Sequence, residues 1–304
     1  MKQKIIIDTD SGMDDIIAIA MIISSGNFLI KVITTVRGLV TPIIGKKNLS
    51  KIINFFDTKI KIVSGLDTPI NKNRLKFSFP DSDRVNSTKL TFLKSLLKPV
   101  KIQKQKYKVE DFIYKQAKTS GGISLLCLGP LTNIAKVIQK YGIEFTKNIN
   151  EITIMGGAVY ASGNVAPAKY AEYNIFLDPE AAEIVFCSGV QINLVSIDAT
   201  KFAPATTKLK NKIENYKPKT KYGEIIKSII IANKNDFDYF YDPLAAGVLI
   251  DPKIIIESKN VKIKIAQKGI NVGQTLPTAG LKNVGVITQI NSKRFFNLLK
   301  KTIQ

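Results

Sequence analysis

The chain has 304 residues, 45% hydrophobic and 23% charged, enough apolar material for a large buried core. Histidine and tryptophan are both absent, which excludes a histidine general acid, a histidine metal ligand and an indole stacking platform. The net charge of +21 raises nucleic-acid binding, but only four of the 45 basic residues are arginine (Arg37, Arg74, Arg84, Arg294) and the lysines are spread along the chain, so a solvated lysine-rich surface is expected and no specific nucleic-acid partner.

Strand and helix patterns alternate from the start. KIIIDT (4–9) is a strand, and GMDDIIAIAMIISSG (12–26) carries apolar residues at helical spacing up to Gly26. FLIKVITTV (28–36) is a second strand, TPIIGKKNLSKIINFFD (41–57) a helix and IKIVSG (60–65) a third strand. Residues 65–105 are polar, basic and irregular, too long for an idle connection, and suggest a loop over a site. KVEDFIYKQAK (108–118) and LTNIAKVIQKYG (131–142) are helices, with ISLLCLG (123–129) a strand between them and EITIMGG (151–157) a strand after them. A second long loop covers 157–175, followed by a helix in DPEAAEIVFCSG (178–189) and a strand in QINLVSID (191–198). Helices are expected at 206–217 and 221–235, followed by the apolar segment DPLAAGVLI (242–250). Short β-like runs, VKIKIAQ (261–267) and VGVITQI (284–290), precede a last helix, SKRFFNLLKKTI (292–303).

This alternation predicts an α/β fold. A mainly parallel sheet is covered by helices on both faces, with short additional β-strands near the C-terminus. No linker, repeat or low-complexity tract divides residues 1–304, so a single domain is expected. No apolar run is long enough to span a bilayer, and the apolar part of MKQKIIIDTD is too short for a secretion signal. Cys127 and Cys187 sit in apolar segments and read as two buried, reduced thiols. A cytoplasmic protein without a membrane partner is expected.

The chemistry concentrates in IIIDTDSGMDDIIAIA (5–20), where Asp8, Asp10, Asp14 and Asp15 follow three isoleucines. Ligands in such folds sit outside the carboxyl ends of the strands. Asp8 and Asp10 share a face of extended chain, and Asp14 and Asp15 fall in a first helical turn. A helix dipole is worth about 1 kcal/mol, too little to hold several converging anions. Caps and solvated turns explain one or two carboxylates, not four. A bound cation explains the set, and oxygen-only ligands point to Ca²⁺ or Mg²⁺.

An apolar strand followed by DxD also opens the haloacid-dehalogenase-type phosphatases. Here Gly12 fills the slot for Thr or Val and no later GDxxxD follows. DTDSGMDD instead resembles the DTDPGxDD opening of the inosine–uridine-preferring nucleoside hydrolases. VITTVRG (32–38), LGPLTNIAK (128–136), the block IMGGAVYASGN…AEYNIFLDPEAAEIVF (154–186) and YDPLAAGVLIDP (241–252) resemble later segments of that family in the same order.

The resemblance implies a nucleoside-hydrolase-like fold that cleaves the N-glycosidic bond of ribonucleosides with water. It implies Ca²⁺ held by Asp10, Asp15, Asp242 and the backbone carbonyl of Leu128. Asp10 would take the proton of the attacking water. Asp14 would hydrogen-bond the ribose 2′-hydroxyl, and Asn164, Glu172 and Asn174 the outer hydroxyls, while Asp8 would support the loop. A homodimer or homotetramer is implied in the same way.

Two positions and one segment depart from the family pattern. Leu39 stands where the family has an Asn near the carboxylates and sugar, with Arg37 a conceivable substitute. The segment from Asn164 to Glu172 is two residues longer than usual. Tyr241 stands where pyrimidine- and inosine-cleaving members have a His. A phenol with pKa about 10 is a poor acid near neutrality. Tyr241, with Tyr239, Phe240 and Tyr170, could instead stack a base. Two alternatives follow: a ribose- or nucleoside-binding protein with little catalysis, and a hydrolase of other ribosyl compounds with good leaving groups.

Overall fold

The computed structural model describes residues 2–77, 90, 93, 95–102, 105–165, 168–234 and 238–304. Parts of the irregular stretch expected over 65–105 (78–89, 91, 92, 94, 103 and 104) therefore lie outside the described residues, as do 166 and 167 in the second long loop and the end of the helix expected over 221–235.

Among the described residues, nine strands form one sheet in the order β3-β2-β1-β4-β5-β6-β9-β7-β8. They are β1 (Gln3–Thr9), β2 (Phe28–Thr35), β3 (Ile62–Ser64), β4 (Ile123–Cys127), β5 (Ile149–Met155), β6 (Ile192–Val195), β7 (Ile255–Ile265), β8 (Thr275–Thr278) and β9 (Val284–Ile290). Pairing is parallel from β3 across to β9, and antiparallel where β7 joins β9 and β8. The expected architecture is present.

The helices, in chain order, are α1 (Met13–Ser25), α2 (Pro42–Phe55), α3 (Val109–Lys118), α4 (Thr132–Tyr141), α5 (Ile143–Thr146) and α6 (Tyr173–Leu177). They continue with α7 (Pro179–Phe186), α8 (Ile197–Thr200), α9 (Thr207–Glu214), α10 (Lys221–Ala232), α11 (Tyr241–Ile250) and α12 (Ser292–Ile303). Among the described residues, no helix is long and apolar enough to cross a membrane.

The strands sort the core into two layers by their period of two. Ile5, Ile7 and Ile33 pack with α1, α2, α10, α11 and α12. Ile6, Val32 and Leu125 pack with α3, α4, α5 and α7 on the other face. Ile5, Ile6 and Ile7 are all fully buried, which explains the continuous apolar run of β1. Helix α1 is apolar nearly all round and lies inside the first layer, between α11 and α10.

The chain runs β1, β2, β3 to one side of the sheet and then β4, β5, β6 to the other. The reversal opens a crevice at the carboxyl ends of β1 and β4. Asp10 follows β1, and Leu128 follows β4, where its N–H donates to the Asp8 carbonyl at 2.8 Å.

Several details differ from the sequence reading. β7 begins at Ile255, before the expected run, and β8 and the short helices α5, α6 and α8 were not expected. β8 reads TLPT, too short and too mixed to show a strand period, and α5 is a single turn after Gly142. Cys187 is exposed, not buried: it caps α7 where the helix emerges from the core, while Cys127 is buried in β4.

Candidate active site

The chain leaves β1 and turns through Ser11, at φ 65°, into α1. Gly12 caps that helix, and its N–H donates to Asp15 Oδ2 at 2.9 Å. Asp15 Oδ1 accepts from the Thr9 hydroxyl, so both oxygens of this buried carboxylate are oriented. Asp14 lies beside it in the same turn. Asp242 occupies the first turn of α11, which packs along α1. Two helix N-termini thus deliver three acids to one point, where their dipoles favour negative charge.

One oxygen each of Asp14, Asp15 and Asp242 lie within 4.8 Å of one another. Asp10 stands next to Asp15, and its Oδ2 accepts from the Leu39 N–H at 2.9 Å. Its space depends on Gly38: a Cβ there would lie 2.1 Å from Asp10 Oδ2. Behind the cluster, Asp8 accepts from Thr34 and, at 2.7 Å, from Asn133 Nδ2. Asn133 also accepts from the Leu66 N–H and donates to the Thr35 carbonyl, tying three strand ends together. Asp8 thus ties β1 to Thr34 of β2 and to Asn133 of α4.

Burial, first, pushes these carboxyl groups up; repulsion from neighbouring carboxylates adds to it at Asp10, Asp14 and Asp242, whereas at Asp15 hydrogen bonds oppose it. Asp14 rises to about 7, Asp15 rises, and Asp10 and Asp242 rise well above the usual carboxylate range. Asp8 rises to about 7, mainly by burial against its hydrogen bonds from Thr34 and Asn133. Asp242 Oδ1 is buried with no hydrogen-bond partner. A buried, repelling, oxygen-only set with an orphaned oxygen fits a hard divalent cation.

The opposite wall comes from the second long loop and α6. Glu172 caps α6: its Oε1 accepts from Asn174 N–H at 2.9 Å, and its Oε2 from Ile175 N–H at 3.2 Å and Gly157 N–H at 2.9 Å. Burial still raises its pKa against these donors. Asn174 Nδ2 reaches the Leu128 carbonyl at 3.5 Å and the Met155 carbonyl at 3.3 Å. Asn164 is exposed, and its Oδ1 accepts from the Tyr173 N–H at 3.0 Å.

Tyr241 opens α11, half-buried and next to Asn164, with Asp14 and Glu172 near enough to act on its phenol. Burial and then these anions push its pKa up to about 12. Tyr239 lies beside it, ring centroids 5.8 Å apart. Phe240 cannot join them: it is fully buried against Phe295 and Phe296, because alternate residues of this extended segment point to opposite sides. Tyr170 is exposed. Arg37 pairs with Asp67 at 2.6 Å, and the Leu39 side chain lies against Gly12 beside Asp14 and Asp15.

The family model for inosine-uridine preferring nucleoside hydrolases matches residues 5–297. The chain belongs to this family. Among the relatives of this nucleoside hydrolase is uridine nucleosidase 1 of Arabidopsis thaliana, 32% identical over 296 residues that cover 92% of this chain and 83% of the relative. A solved plant nucleoside hydrolase superposes with a TM-score of 0.84 at 25% identity, covering 100% of this chain and 99% of the other. The purine-preferring ribonucleoside hydrolase from Gardnerella vaginalis shares the fold, with a TM-score of 0.86 at 24% identity over 99% and 98% of the two chains. The protein is a nucleoside N-ribohydrolase with an acidic site able to hold a metal ion.

The supports Thr9, Thr34, Asn133 and Gly38 were missed in the sequence. Thr9 lies inside the DTD motif and was legible. The others come from distant segments, and no spacing rule links them to Asp8 or Asp10.

Proposed function

We propose that the protein hydrolyses the N-glycosidic bond of ribonucleosides, with Ca²⁺ as cofactor, releasing ribose and a free base. The supporting observation is the convergence of Asp14, Asp15 and Asp242, with Asp10 alongside, at the β1–β4 crevice. Asp10, Asp15, Asp242 and the Leu128 carbonyl are the groups that would hold the ion, which when bound lowers the pKa of water and fixes the sugar diol.

Asp10 accepts the proton of the attacking water, oriented for this by the Leu39 N–H. Asp14 accepts from the ribose 2′-hydroxyl. Asn164, Glu172 and Asn174 hold the other hydroxyls and fix the sugar against the carboxylates. As the C–N bond breaks, its electron pair leaves with the base, and positive charge develops on the ribosyl ring. The surrounding carboxylates and amide oxygens stabilise that charge. Tyr241, its phenol held neutral, forms a wall for the base and contributes little as an acid.

The test is ribose release from a panel of purine and pyrimidine ribonucleosides, with and without chelator. Release that chelation stops and Ca²⁺ restores supports the proposal. Ribose binding without turnover, measured by calorimetry, would favour the binding-protein alternative that Leu39 and Tyr241 raise.

A further inference from the structure

We infer that Arg74 is a positioning residue for the sugar-binding corner of the site, acting through α6. The inference rests on the reading that Glu172 and Asn174 hold the ribose. Helix α6 has five residues, too few to persist by itself. Its N-terminal end is fixed by Glu172 and its second residue is Asn174, so any drift of the helix moves both. Arg74 holds the other end. Its Nη2 donates to the Phe176 carbonyl, one of the last carbonyls of α6. Its guanidinium lies over the Phe176 ring, 4.4 Å from the centroid.

This contact spans 102 residues of sequence and is nearly closed to solvent, with Arg74 9% exposed. A cation at a helix C-terminus is favourable, and a planar guanidinium can donate and stack at once, which an ammonium cannot. Its charge is balanced by Asp178 and Glu180 at the joint between α6 and α7. The same joint binds the segment that carries Arg74. Asp178 Oδ2 accepts from the Ile70 N–H at 2.9 Å, and Glu180 from Asn71 Nδ2 at 3.0 Å. Asp178 Oδ2 also accepts from the Thr132 hydroxyl at 2.6 Å, which ties in the turn that presents the Leu128 carbonyl. The Phe176 ring in turn belongs to a small apolar cluster with Ala168, Ala171 and Val165, in the loop that carries Asn164. Arg74 thus sits under the corner built by Asn164, Glu172 and Asn174 without reaching the acidic cluster.

The experiment compares Arg74→Met, which keeps the buried stem and removes charge and donors, with Arg74→Lys, which keeps the charge and a donor. Arg74→Met should raise KM for a ribonucleoside by about tenfold or more, because small misplacements of positioning groups are costly. Its kcat should change less, its Ca²⁺ affinity by calorimetry should stay at the wild-type value, and Arg74→Lys should recover part of the loss. In a Glu172→Gln background the Arg74→Met increment should shrink, since residues acting through one unit are not additive. A folded Arg74→Met enzyme with wild-type KM would overturn the inference. So would an equal increment in both backgrounds, or a loss of Ca²⁺ affinity that parallels the loss of activity. If Arg74→Met does not fold, Phe176→Leu removes the stacking face and keeps the carbonyl, and the same KM rise is expected. Wild-type kinetics in Glu172→Gln alone would remove the sugar role of Glu172, a failure separate from that of Arg74.

Discussion

The Leu39 N–H donates to Asp10 Oδ2 at 2.9 Å, so the residue that breaks the family pattern by its side chain still holds the central carboxylate by its backbone. Leu39→Ala should therefore retain most of the activity. Leu39→Pro removes the N–H, and a hydrogen bond to a charged group is worth about 1.5–3 kcal/mol, so turnover should fall by roughly tenfold or more. Gly38→Ala should do worse, because its Cβ would overlap Asp10 at 2.1 Å. Steady-state kinetics of the three variants, with circular dichroism to establish folding, check the order. A folded Gly38→Ala enzyme at full activity would contradict it.

Asp10→Ala should abolish turnover and weaken Ca²⁺ binding, since it removes a proposed ligand and the proton acceptor together. Asp242→Asn should weaken Ca²⁺ binding as well, because the orphaned Oδ1 loses its charge. Calorimetric titration of both variants reads this directly. Wild-type Ca²⁺ affinity in Asp10→Ala would leave the metal to Asp14, Asp15 and Asp242 alone.

How much of this was legible in the sequence varied with distance along the chain. Gly12, Asp14, Asp15 and Gly26 mark α1 within one segment, and the boundaries of α12 follow from its apolar spacing. The carboxylates could be read because they are adjacent in sequence. Their braces could not: Asn133 lies 125 residues from Asp8, and only the parallel register of β1 with β2 and β4 brings Thr34 and Cys127 alongside Asp8. Arg74 offered no signal, since a lone arginine in an irregular basic stretch reads as surface.

Without a metal, stability should fall as pH rises through neutrality. Asp8 and Asp14 bind protons up to about 7 in the folded protein, against about 3.9 in an unfolded chain. Between those values the folded state holds more protons. Its stabilisation is complete below about pH 4 and is lost as pH climbs through about 7. Asp10, Asp15 and Asp242 shift in the same direction. Added Ca²⁺ displaces those protons, so the rise in Tm it causes should grow with pH. Thermal unfolding between about pH 5.5 and 8.5, with chelator and with millimolar Ca²⁺, tests the sign. A chelated protein whose Tm rises across that window would refute it.

Tyr241 predicts the substrate preference. General acid assistance is typically worth about 10²–10⁴ in rate, and a phenol with its pKa near 12 supplies little of it. Ribosides with stable leaving groups, such as p-nitrophenyl riboside, should react much faster than uridine or inosine. Tyr241→Phe should retain most activity on both kinds, and Tyr241→Ala should lose it. Similar efficiency on uridine and p-nitrophenyl riboside, with Tyr241→Phe selectively losing the uridine reaction, would make the phenol the acid.

The insertion of β9 between β6 and β7 has a consequence for biosynthesis. β7 and β8 leave the ribosome before the strand that attaches them to the rest of the sheet. Until Val284–Ile290 emerges, β6 has an open edge and the β7–β8 hairpin has no sheet to join. Such edges are sites of wrong pairing. Nascent chains stalled short of β9 should therefore depend on chaperones more than the finished protein does. Closure of the sheet is then a late event, followed at once by the docking of α12 against α10.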